Sequence, residues 1–401
     1  MYLKAKKKIK TNKKDIIRFL LLLFLAFALM PDFISIGEYS LKPMYSVLGI
    51  LVLILVKRRD VVFPPKIISI FLSFALIISM VMSFFWGIDR LFFNYCFGYV
   101  VIVITMTFGN KYCENDWLKI LQKVWILLFL AVIINNLRQF FRFQEYFYYK
   151  WDHPYINTVV TGGVNLEATW ISILTLSFYN RKGRWKAYLL SALISLLYAS
   201  RVGIIANIIV AFSFMYGERQ NETKKELKVR RVYFSLLIIV GIIISAFISI
   251  KFDITVAVIS RFKNIGHDFG SLGRFAMWKY IPKLIMTYPL GVGLGNSIPA
   301  LSTVSPLKYG ENNLHNIFFQ MFCEIGVFGG IFFLILWITF FFEERSALFK
   351  SPISNMLAIY AFLSLFQFRG GETIFFSILG MYFASKRNKA CYAHRGEIHC
   401  E

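Results

Sequence analysis

The chain has 401 residues, 57% hydrophobic and 18% aromatic, with 17% charged and a formal net charge of +23. Soluble domains carry about 25% charged residues, so this composition excludes an ordinary soluble enzyme and points to a polytopic membrane protein. The lysines and arginines crowd into short loops between apolar runs, the habit of cytoplasmic loops, which argues against nucleic acid as a partner.

The N-terminal "MYLKAKKKIKTNKKD" is a basic segment before an apolar run. No small-residue cleavage site follows, so it reads as the inner flank of an uncleaved first membrane helix. Apolar spans then fall near 16–36, 41–56, 66–86, 91–108, 117–136, 166–180, 185–199, 202–217, 232–251, 314–342, 353–368 and 373–385. With the N-terminus inside, 31 of the 45 basic residues lie in inner segments and 14 in outer ones, which fixes the orientation. The expected fold is an all-α polytopic membrane protein of about 12 transmembrane helices, with both termini cytoplasmic. Its organisation is a basic tail (1–15), helices one to nine (16–251), a large extracytoplasmic loop (252–313), the last three helices (314–385) and a cytoplasmic tail (386–401).

Two outer loops stand out: the aromatic "RQFFRFQEYFYYKWDHPYINTVVTGG" near 137–165, and the long hydrophilic stretch 252–313. Inner loops are short, and no P-loop or GxGxxG is present, so ATP-driven transport is not expected. The five cysteines form no CxxC pair. Cys391, His394, His399 and Cys400 offer zinc-type ligands, but their setting reads as a cytoplasmic tail rather than a metal site. No acidic cluster suggests a divalent cation, Asp253, Asp268 and Glu311 being isolated in the loop. The expectation is metal-independent chemistry without a cofactor.

Three features carry chemistry. Arg201, in the tight turn "ASRVG", is flanked by apolar residues on both sides, a costly place for a cation unless it lines a polar cavity. In "SLGRFAMWKYIPKLIMTYPLGVGLG", Arg274, Trp278, Ile281 and Ile285 share one helical stripe, Lys279 and Lys283 point elsewhere toward headgroups, and the glycines suggest close approach to a ligand. In "YGENNLHNIFFQMFCEIGVFGG", Asn312 and Asn313 are capping types, so a helix is expected to start just before His315. Phe319, Phe322, Gly326, Gly329 and Gly330 share the His315 face as an inward glycine groove, and Glu324 lies opposite. Glu167 opens another span, either to orient a basic partner or sugar or to complement the helix dipole.

Arg274 to Trp278 with "PLGVGLG", followed by "HNIFFQMFCEIGVFG", resembles the shared region of bacterial O-antigen polymerases and O-antigen ligases. Their motif runs His, then Asn, Ser or Gln, then nine residues, Gly, two residues and Gly; His315, Asn316, Gly326 and Gly329 satisfy it. "SRVG" around Arg201 resembles the family's arginine-bearing turn, and the resemblance covers roughly 160–330. One element departs: the arginine followed by ten residues and a glycine that some polymerases carry in outer loops is absent here, Arg369 to Gly380 running into a helix.

The resemblance implies a glycosyltransferase-type polymerase on the outer face of the bacterial cytoplasmic membrane. It would join polyprenyl-diphosphate-linked oligosaccharide repeat units into O-antigen, capsule or exopolysaccharide, working with a flippase and a chain-length regulator. His315 would then be the base, Arg201 and Arg274 would hold the diphosphate, and Trp278, Lys279, Asn316 and Glu167 would support the glycan site. The nearest alternative is a ligase moving finished glycan to a lipid A core. A lipid-linked oligosaccharide flippase is disfavoured, because the polar residues gather at one face instead of spreading through the helices, and a non-catalytic scaffold would tolerate loss of His315.

Overall fold

The computed structural model describes residues 2–30, 34–36, 39–58, 60–110, 112–143, 158–160, 162–181, 183–216, 269–311, 313–348, 350–368 and 370–394, with positions 226, 228, 229 and 232. The expected span at 232–251, the middle of the aromatic outer loop, the start of the large loop, Arg369, His399 and Cys400 fall outside these.

The basic start and the first apolar run form one helix, α1 (Tyr2–Leu29). It ends short of the expected 36, because a small antiparallel hairpin follows: Ile34–Ile36 pairs with Tyr39–Leu41. Proline at the first turn, where no donor is needed, opens α2 (Pro43–Val56). Pro65 precedes α3 (Lys66–Trp86), which stops at Gly87 with φ +79°. Asp89 caps α4 (Arg90–Phe108) by accepting from the Leu91 amide at 2.8 Å. The chain continues through α5 (Glu114–Phe143), α6 (Val164–Leu174, extended by a 3₁₀ turn to Phe178), α7 (Arg184–Leu197) and α8 (Arg201–Tyr216).

Within the large loop lie three short helices, α9 (Phe269–Trp278), α10 (Ile281–Thr287) and α11 (Ser297–Val304). The last part of the chain holds α12 (Ile317–Glu324), α13 (Gly326–Glu344), α14 (Pro352–Leu363) and α15 (Thr373–His394). Among the described residues four helices are long and apolar enough to cross a membrane: Lys66–Trp86, Arg90–Phe108, Glu114–Gln139 and Gly326–Glu344. Pro43–Val56, Val164–Phe178, Arg201–Tyr216 and Pro352–Leu363 are apolar but shorter. The protein is thus a helical membrane protein.

Among the described residues two large hydrophobic cores stand out beside a small third one at Ala211 and Met215. The larger spans the bundle, from Leu21 and Phe24 of α1 through Trp117 and Trp170 to Tyr360 and Phe376. There α4 and α15 approach closely, Gly98 lying under the Phe376 ring. The smaller core belongs to the large loop: Met277, Ile281, Leu284, Val292, Ile298 and Leu301 pack together with Leu314 and Cys323.

The expected single helix over 314–342 is broken. After Glu324, Ile325 and Gly326 (φ +76°) interrupt it, and α12 folds against α13. The cause is a segment thirty-odd residues upstream. The Val292 and Gly293 amides donate to the carbonyls of Cys323 and Glu324 at 3.0 and 2.8 Å, and the Val327 amide donates to Pro289 at 2.9 Å. A Cβ on Gly326 would meet backbone atoms of Leu290 and Pro289, and one on Gly291 those of Glu324 and Gly326. Gly291 and Gly326 therefore admit the chain's own backbone, while Gly293 faces Asn296 and Met82 and Gly295 faces the Asp89 side chain. The expected glycine groove is corrected likewise, since Gly329 meets Ile325 and Gly330 meets Phe322.

Candidate active site

His315 is not in a helix. Asn316 caps α12, its Oδ1 accepting from the Phe319 amide at 3.0 Å, so the helix begins two residues after the histidine. Every neighbour of the ring is pinned. The Asn313 Oδ1 accepts from the His315 amide at 2.8 Å. Leu314 is fully buried, and its carbonyl accepts from the Trp278 indole at 2.8 Å. With Asn313, Leu314 and Asn316 all held inward, His315 adopts φ +55°, a conformation that L residues avoid and that clusters at functional sites.

The imidazole Nε2 lies 3.1 Å from Glu311 Oε2, with 16% of the side chain exposed. When the ring is neutral, a carboxylate at Nε2 favours the tautomer with its proton on that nitrogen. Glu311, read from the sequence as isolated, is the carboxylate that orients the histidine. The four-residue spacing was visible, but it signals a contact only on a helix, and here the chain is a loop.

Trp278 holds its place by packing as well as by its N–H, with ring edges against Phe275 and Phe319 at 5.8 and 5.6 Å. Its indole braces the histidine turn. Arg274 sits mid-helix in α9, one turn before Trp278, and not at a helix start. The expected continuous stripe through Ile281 and Ile285 is interrupted at Lys279 and Tyr280, where α9 ends and α10 begins. Lys279 is exposed at that break. The Lys283 ammonium donates to the Val304 carbonyl at 3.1 Å, tying α10 to α11 within the loop.

A second corner holds Glu167 and Arg201. Glu167 is fully buried, and its carboxylate accepts from the Val159 and Val160 amides at 2.6 and 3.0 Å and from the Tyr198 hydroxyl at 2.5 Å. Tyr198 also accepts from Asn136 at 2.7 Å. One carboxylate thus ties the end of the first outer loop and the end of α7 to α6, and through Tyr198 reaches α5. It thereby shapes the turn that presents Arg201.

Ala199 takes φ +45°, Ser200 caps the next turn by accepting from the Gly203 amide at 3.1 Å, and Arg201 begins α8 half-buried. Below it the Asn207 amide donates to Ser172 and Ser195, both at 2.8 Å, and Ser191 donates back to its Oδ1 at 3.0 Å. In an apolar surrounding, such a satisfied network holds α6, α7 and α8 in register.

The α14–α15 connection joins the two corners. The Ser364 carbonyl accepts from the Ile317 amide at 2.9 Å, at the start of α12. Trp170 of α6 stacks on Tyr360 and packs on Phe368, while Tyr360 stacks on Phe375 at 4.3 Å. The Tyr360 hydroxyl and the Gly370 amide both donate to Glu372 Oε2, at 2.6 and 3.1 Å. Beneath Ile317 opens an apolar cavity of about 510 Å³, lined by Phe71, Tyr95, Phe333, Trp337 and Phe376 among others.

Residues 187–334 match a protein-family model described as O-antigen ligase. That stretch contains Arg201, Arg274, Trp278, Lys279, His315 and Asn316, and leaves Glu167 outside. No curated protein matches the chain.

Proposed function

We propose that this chain, which over residues 187–334 matches a family model described as O-antigen ligase, is a polymerase of lipid-linked oligosaccharide repeat units. It works on the outer face of the bacterial cytoplasmic membrane. The observation that carries the reading is the histidine turn: a strained His315, held by Asn313, Trp278 and Asn316 and oriented by Glu311, at the junction of the loop core and the bundle.

In the reaction, the His315 imidazole takes the proton of an acceptor sugar hydroxyl as its oxygen attacks the anomeric carbon of the donor. The bond from that carbon to the diphosphate oxygen breaks, and the electron pair leaves with the polyprenyl diphosphate. Arg201 and Arg274 neutralise the charge developing on the leaving group, their guanidinium forks matching phosphate oxygens. A single displacement of this kind inverts the anomeric centre and calls on no nucleotide sugar, metal ion or cofactor. The cavity below Ile317 offers an apolar bed for the donor's lipid tail next to the reacting end. Glu167 and Trp278 position the turns that carry Arg201 and His315, while Lys279 and Asn316 flank the glycan path.

The second reading is a ligase that moves finished glycan to a lipid A core, favoured by the description of the matched family. Mass spectrometry and gel analysis of glycans from a strain lacking the gene separate the two. Single repeat units on the final acceptor mark a polymerase. Long chains stranded on the lipid carrier mark a ligase, and unchanged glycans refute both.

A further inference from the structure

One face of α12 carries a polar row of which the proposed chemistry uses only the first member, Asn316. Asn316, Gln320 and Glu324 follow one another at four-residue intervals, and all three are buried, at 6%, 0% and 0% exposure. At 100° per residue, Ile317, Met321 and Ile325 point into the bundle core, while Cys323 points into the loop core. The polar row lies between them, along the seam where the two cores meet. Ser297 of the loop reaches across that seam to Glu324, at 2.8 Å.

Gln320 is the exception in this row. Neither its Nε2 nor its Oε1 has a hydrogen-bond partner among the described residues. Burying an amide without partners is costly, and native cores rarely keep such a group without a use for it. A leucine of nearly the same size would fill the position without that cost. The row begins at Asn316, the residue next to His315, so its upper end is continuous with the reacting centre.

We infer that Gln320 binds the acceptor glycan, its amide oxygen and nitrogen engaging a pair of neighbouring sugar hydroxyls in the seam below His315. The inference rests on the polymerase reading above. A primary amide presents one acceptor and two donors in one plane, the complement of a vicinal diol whose hydroxyls each donate and accept. The same polar face disfavours an apolar occupant, so the ligand is a sugar and not a lipid chain.

The test uses the full chain in lipid nanodiscs, with lipid-linked repeat units extracted from the deletion strain as the substrate. Gln320→Leu is expected to raise KM roughly tenfold, the loss of two neutral hydrogen bonds, with kcat little changed and the thermal midpoint unchanged or higher. Gln320→Asn, which keeps the amide on a shorter stem, is expected to give an intermediate KM. An unchanged KM with a raised midpoint overturns the inference and leaves a plain packing defect. A lowered midpoint or failure to fold also overturns it, because the amide would then be bonded in the free protein. His315→Ala in parallel keeps the two ideas apart: if that variant turns over at the wild-type rate the polymerase chemistry fails, whereas a dead His315→Ala beside an unaltered Gln320→Leu sinks only the glutamine assignment.

Discussion

Gly326→Ala probes the break between α12 and α13. Gly326 sits at φ +76°, where an L side chain costs about 1–2 kcal/mol. An added Cβ would also stand 2.5 Å from the Leu290 carbonyl carbon and 2.6 Å from the Pro289 oxygen. These are backbone atoms, held by the Val327 amide donating to Pro289, so neither moves cheaply. Overpacking of this kind adds about 1–3 kcal/mol, and together the two effects destabilise the chain by about 2–5 kcal/mol. Thermal unfolding of purified protein in one detergent, followed by tryptophan fluorescence, reads the loss. Gly310→Ala serves as the control, since its Cβ would meet nothing within 4 Å. A Gly326→Ala protein that unfolds at the control's temperature would refute the backbone-crossing account of the motif glycine.

The same logic extends to the residues that hold the two corners. Trp278→Phe keeps the ring contacts and removes the N–H that serves the buried Leu314 carbonyl; a stability loss of about 1–3 kcal/mol is expected in the same melt, with turnover falling further because the His315 turn loosens. Turnover that stays at the wild-type level would show that the indole does not position the histidine. Glu167→Gln puts an amide NH₂ where the carboxylate accepts from two backbone amides and Tyr198. With its oxygen toward the two amides, the Gln NH₂ faces the Tyr198 hydroxyl, which loses its buried acceptor at about 1–3 kcal/mol. Tyr198→Phe on that background should add little, and a fully additive double variant would contradict the shared contact.

How much of this was readable in the sequence depends on how local each cause is. Composition and apolar runs gave the membrane class, because hydropathy over a span needs no tertiary partner. The spacing of His315, Asn316, Gly326 and Gly329 marked the right segment, but not its shape. Nothing in the apolar run from Ile317 to Trp337 announces a break, since the loop segment that forces it lies at 289–293. For the same reason the sequence did not show that the Trp278 N–H serves a carbonyl 36 residues away.

Glu167 was legible as an unusual carboxylate at a helix start, yet its partners include Tyr198, which folding brings back from the end of α7. The lengths of the short helices were close to expectation at 202–217, where α8 spans Arg201–Tyr216. The expectation failed at 16–36, where α1 ends at Leu29 and a hairpin follows. Gln320 gave no sequence signal, because a glutamine in an apolar helix looks the same whether or not its amide is satisfied.

The central claim is that His315 removes the acceptor proton. It is tested most directly by complementing the deletion strain with wild type or His315→Ala, and measuring the length distribution of surface and lipid-linked glycans. Membrane levels of the two proteins are matched in the same samples. The account predicts long chains with wild type and single repeat units with His315→Ala. Long chains of normal distribution from His315→Ala would contradict it.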